Sequence, residues 1–328
     1  MLHHTMAKYL DRCFKYQPAH YPCPSCFLEL TNHKKMSTNG DIPSPSSSGE
    51  ESYDESDASD GTTEPRYTPK ELQAIFVDFY SFMTTLTYDK SHLKIPPPIG
   101  WPQITPESCG HYKSDYAIEV IRHLPYFDSN CKSYIHYKSK LVDLTGFSLQ
   151  DFERHKGRYK NWEFWSSEGE LRDNGDVVCI AVGYESFGRE LWLNVIDCEI
   201  FEDFHAGDML DAVPVETFFA NLREKYETLK LIPGKGRITI EAEDVPEHVG
   251  RITEEEVNNQ KEEWGTDLDI QYVRQVYRDH NWPRSFDLEA ASLAIDNWLD
   301  PSGESLGCGP RGYGWPESPP DWDASPWT

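Results

Sequence analysis

Val177-Val178-Cys179-Ile180-Ala181-Val182 and Leu191-Trp192-Leu193-Asn194-Val195-Ile196 are two short apolar runs, separated by a loop that Gly183 and Gly188 bound. Both are β-branched or aromatic and end at turn residues, so they read as two hairpin-paired strands. Downstream, Pro214-Val215-Glu216-Thr217-Phe218-Phe219-Ala220-Asn221-Leu222 opens a helix. Phe218, Phe219, Leu222, Tyr226 and Leu229 fall on one stripe of it, and Pro214 suits the first turn. A buried hairpin with an aromatic helix laid on it is the nucleus of a core.

Upstream, Thr68-Pro69-Lys70-Glu71 is a capping box, followed by Leu72, Ile75, Phe76, Phe79, Phe82, Met83 and Leu86 at helical steps. Ile95-Pro96-Pro97-Pro98-Ile99-Gly100-Trp101-Pro102 is an extended arm whose Ile95, Ile99 and Trp101 are expected to pack on the chain's own core. Thr105-Pro106-Glu107 is expected to restart helix, with Tyr116, Val120, Ile121 and Leu124 on its buried side. Short strands are expected at Tyr134–Tyr137 and Leu141–Leu144, a helix start at Ser148, and a tight turn at Asn174-Gly175. Beyond Leu229, Arg237–Glu241 reads as a strand. Thr253–Glu256 is another capping box, and two further helical stripes run from Ile270 to Tyr277 and from Leu288 to Leu299. The pattern predicts an α+β fold: a mainly antiparallel sheet flanked by helices, with extra C-terminal helices in residues 250–300 and disordered tails.

The boundaries follow composition. Residues 1–66 form an acidic, Ser- and Pro-rich region expected to be disordered, and 302–328 a Pro- and Trp-containing tail of the same kind. Residues 67–301 form a single domain. Ser47, Ser48 and Ser52 each precede an acidic residue by three places, a pattern that suits an acidophilic kinase. Within the first 35 residues Cys23-Pro24-Ser25-Cys26, with Cys13, His20 and His33 nearby, is a weak zinc candidate that lacks a second paired motif. Met36 opens the low-complexity segment as a translation start would.

The chain has 328 residues and a formal net charge of -25, from 31 basic and 56 acidic side chains. That balance disfavours nucleic acid and anionic membrane surfaces, which need clustered Lys and Arg. No apolar run approaches the roughly twenty residues of a membrane span. Eight scattered Cys and no signal-peptide core suggest a reduced, cytoplasmic or nuclear protein.

Nucleophile-elbow, phosphate-loop, zincin and Ca-loop motifs are absent from the sequence, and no cofactor is expected. Acidic residues are the remaining raw material: Asp197, Glu199, Glu202, Asp203, Asp208 and Asp211 follow the hairpin. As a solvated face they would steer a protein partner with a basic surface. As an opposed pair of carboxylates they could hydrolyse a glycoside. Trp101, Trp162, Trp165, Trp192, Trp264, Trp282 and Trp298 lie beside apolar runs and read as core. Trp315, Trp322 and Trp327 read as anchors for a partner groove.

The order of elements is similar to the SUKH superfamily, which includes fungal cell-wall-integrity regulators and bacterial immunity proteins that neutralise toxins. Leu124-Pro125-Tyr126, Ile180-Ala181-Val182, Leu191–Val195 and Pro214–Leu222 carry the likeness. Val215, Phe218 or Phe219, and Leu222 supply its closing signature. The likeness covers about 106–229. The wider layout from Thr68 to Pro301 also looks like a group of fungal proteins without an assigned activity. The resemblance implies a non-enzymatic α+β protein-binding module.

Overall fold

The computed structural model describes residues 64–183, 188–204, 209–234, 239–262 and 264–299. Its first helix, α1 (Pro69–Met83), starts where Thr68 and Glu71 cap each other's backbone N–H groups. Next come β1 (Leu93–Lys94), α2 (Asp115–His123), β2 (Tyr126–Phe127) and β3 (Ser139–Leu141). A second capping box, Ser148 with Asp151, opens α3 (Leu149–Tyr159). The short strands β4 (Phe164–Trp165) and β5 (Leu171–Arg172) pair with each other. They precede the two apolar runs, β6 (Val177–Gly183) and β7 (Glu190–Asn194).

The runs pair antiparallel as expected, and β8 (Glu199–Asp203) and β9 (Val213–Pro214) complete a five-stranded antiparallel sheet of order β3-β6-β7-β8-β9. A Cβ on Gly183 would stand 2.4 Å from Gly188 O, so the hairpin closes more tightly than a side chain permits. Trp192 faces Phe201 across the ladder, with Phe164, His155 and Tyr159 packed on that side. Leu191, Leu193 and Ile200 point the other way and are fully buried. The helices α2 and α4 (Val215–Glu227) cover that second face.

A smaller pair, β10 (Leu231–Pro233) with β11 (Thr239–Glu241), leads to α5 (Glu254–Asn258), α6 (Asp267–Asp279) and α7 (Leu288–Leu299). This helical extension is joined to the core by polar side chains that find backbone acceptors. Trp282 Nε1 donates to Tyr226 O, and Tyr277 Oη to Pro233 O. Arg274, only 2% exposed, donates to Leu229 O, Ala242 O and Val245 O. An arginine fork directed at these carbonyls, with Pro246 O at 3.4 Å as a fourth, replaces the water those groups lose on burial.

Several expectations are corrected. The helix expected from Thr105 begins instead at Asp115, capped by Ser114, and residues 105–111 turn without forming helix. Neither of the strands expected at 134–137 and 141–144 forms as such; one short strand, Ser139–Leu141, lies between them, His136 makes one isolated bridge and Leu144 starts a 3-10 turn. The turn expected at Asn174-Gly175 does form, as a 3-10 turn in which Asp173 caps Gly175 N. Ile95 and Ile99 do not pack on the core; both are exposed, while Trp101 is held by its indole N–H on Leu124 O. Trp165 stands exposed beside Leu171, its cross-strand partner.

Candidate functional site

Sequence reading placed the site on the acidic stretch after β7, and the structure disperses that stretch. Among its described members the expected solvated face does not form. Asp197 is gripped by Arg172, at 2.5 and 2.7 Å, and by Asn194 Nδ2 at 2.6 Å. Glu199 is buried and accepts from Ser167 N and Oγ. Asp203 is also buried, with an isolated bridge to Met209. Glu202 points to the opposite face of β8, where it meets Arg189 Nε at 3.4 Å and His136 Nε2 at 3.9 Å. Asp211 alone of the described members is exposed. Asp208, the tail residues Trp315 and Trp322, the cysteines Cys23 and Cys26, and the expected disordered tails (apart from 64–66) lie outside the described residues.

Strand parity also argues against the paired-carboxylate chemistry. Glu199 and Asp203 share one face of β8 with Phe201, and Glu202 occupies the other with Ile200. The sheet therefore separates Glu202 from Glu199 and Asp203, and those two, four residues apart on one face, are both buried. The alternation Glu199-Ile200-Phe201-Glu202-Asp203 carried this information, since Phe201 amid the charges marks a strand. Burial sets the electrostatics here: it raises the Glu202 carboxyl above its ordinary range and pulls the His136 imidazole down to about 3. The neutral state of His136 agrees with its bonding, because Nδ1 accepts the N–H of Tyr137.

A different site forms where α1 and α4 run side by side. Phe79 and Phe76 of α1 pack against Phe219 of α4, with centroids 4.5 and 5.0 Å away. Above these rings the small side chains of Ala74 and Ala220 leave a groove of about 530 Å³. Among the described residues Asp78, Glu216, Glu224 and Glu227 line it, with Arg223 as the single cation. Arg223 is already engaged, bonded to Asp78 at 2.5 Å with its guanidinium 4.7 Å from the Phe82 ring. Glu216 Oε1 accepts from Tyr67 Oη, whereas its Oε2 is buried and has no hydrogen-bond donor among the described residues. An unpaired carboxylate oxygen in a desolvated position attracts a cationic donor.

Sequence reading identified Phe218, Phe219 and Leu222 as core, which they are, and missed the groove above them. Among the described residues no cluster of three or more His, Cys, Asp or Glu is arranged to hold a metal ion. No described helix is long and apolar enough to cross a membrane. The fold and groove define an α+β domain with an acidic, aromatic-floored cleft on its helical side. No family model, curated protein or solved structure matches the chain.

Proposed function

We propose that this chain is a protein-binding module whose α1–α4 groove receives a basic segment of a partner, an apolar side chain seated on Phe79 and Phe219. Glu216 Oε2 carries the reading: a lysine or arginine entering the groove would supply the donor it lacks. The exposed carboxylates of Asp78 and Glu224 add steering at the rim. The SUKH likeness supports the same class of function. It rests partly on Val215–Leu222, the helix that forms one wall of the groove.

The test is fluorescence anisotropy with labelled amphipathic helices that share leucine anchors and differ in lysine or glutamate flanks. The lysine peptide should bind, more weakly as salt rises, and the glutamate peptide should not. Ala220→Trp fills the groove from an exposed position and should abolish binding while the circular dichroism spectrum is retained. Equal binding by Ala220→Trp and the unaltered protein would refute the site. Turnover of a chromogenic glycoside, lost in Glu202→Gln alone, would replace the proposal with hydrolysis.

A further inference from the structure

On the opposite side of the sheet, a cavity of about 240 Å³ opens between α3, residues 111–113 and the turn at 173–175. Its volume corresponds to roughly eight waters at about 30 Å³ each. It is therefore smaller than the roughly 300–1,000 Å³ of sites for drug-sized ligands. Trp192 forms part of the lining, with the rings of Tyr159 and His155 at 4.4 and 5.1 Å. Trp192 is 2% exposed and its indole N–H is buried without an acceptor among the described residues. A donor in that condition costs stability unless something in the cavity accepts from it.

The charge around this cavity runs against that of the chain. Lys113, Lys156 and Lys160 converge on it in a protein with 31 basic and 56 acidic residues. Lys156 Nζ lies 3.9 Å over the Tyr112 ring, and neither Lys156 nor Lys160 has a carboxylate partner among the described residues. Both lie near the end of α3, where cations complement the helix dipole, but that role does not require a cavity beside them. Lys113 donates to Asn174 O at 2.9 Å and to Val177 O, and burial draws its ammonium down to about 8. Asp176 and Asp173 are the opposing carboxylates, and both are engaged: Asp176 Oδ1 accepts from Ser114 Oγ and Asp173 Oδ1 from Gly175 N. From aromatic walls, an unfilled indole donor and three lysines, we infer that the cavity binds a small planar organic anion of the aromatic carboxylate class. Its carboxylate takes the Trp192 N–H and its ring lies among the aromatic walls.

Benzoate is the probe, with benzamide as its uncharged counterpart and inorganic phosphate as the control for general anion attraction. In ¹H–¹⁵N spectra benzoate should shift one indole N–H resonance, the one missing from Trp192→Phe. Calorimetry should show benzamide binding at least about tenfold more weakly, the difference between a charge-assisted and a neutral hydrogen bond. Lys156→Gln with Lys160→Gln, both at exposed positions, should weaken benzoate binding severalfold and keep the circular dichroism spectrum of the unaltered protein. The inference is overturned if benzoate at millimolar concentration moves no indole resonance, or if phosphate shifts the same resonance equally well.

Discussion

Phe79 lies flat on Phe219, ring centroids 4.5 Å apart and planes 12° from parallel. One stack thus joins two helices far apart in sequence and forms the floor of the groove between them. Phe76 meets the same Phe219 ring edge-on. Aromatic pairs in such geometry contribute about 0.5–1.5 kcal/mol beyond the area they bury.

Phe219→Ala should therefore destabilise the protein by about 3–5 kcal/mol, the usual cost of removing a buried phenyl ring. Phe218, at 8% exposure against 4% for Phe219, should cost less. Urea melts of both variants measure this. A loss below about 1 kcal/mol for Phe219→Ala would show that the two helices do not pack as described.

The acidic stretch makes a contrasting prediction. Asp197→Asn and Glu199→Gln each weaken charge-assisted hydrogen bonds, to Arg172 and to Ser167, and should lower stability by about 1–3 kcal/mol. Asp211→Asn changes an exposed side chain and should stay within about 0.5 kcal/mol of the unaltered protein. Chemical denaturation distinguishes the cases. Equally small effects at all three positions would restore the solvated face.

His136 should be silent across the range where histidines ordinarily titrate. Folded, it takes a proton only near 3 because burial disfavours the cation; unfolded, it does so near 6.5. Between those values the unfolded chain binds more protons, so this residue's contribution to stability is intact above 6.5 and is lost as pH falls towards 3. Arg189, Glu202, Lys225, Glu241 and Glu243 surround it, and Glu202, shifted upward, acts in the opposite sense. The direct measurement is the His136 ring resonance, expected to hold still from pH 8 to 5. A midpoint near 6.5 would contradict the burial.

What was legible in the sequence was local. The β6 and β7 runs are short, apolar and β-branched, so their pairing followed from composition and turn residues. The capping boxes at Thr68 and Thr253 and the helix start at Ser148 are spelled out within four residues each, and all three form. The groove was not legible, because its walls meet through pairs such as Asp78 and Arg223, 145 positions apart. Ala74 and Ala220 matter there for what they leave empty, which composition does not register. The acidic stretch was misread because charge was equated with exposure, while strand parity and the positions of Arg172 and Ser167 decide where each carboxylate points.

Arg274 has a practical consequence for anyone dividing the chain. Its fork holds carbonyls at Leu229, Ala242 and Val245, all of which precede the helix that supplies the arginine. A gene fragment that stops at Gly250 would keep those acceptors and discard their donor, together with the Trp282 bond to Tyr226 O. Such a fragment, although it contains the whole five-stranded sheet, should come out of cells as insoluble material, whereas residues 64–299 should be recovered in solution. The unit that can be moved, swapped or displayed is therefore the sheet together with its last three helices.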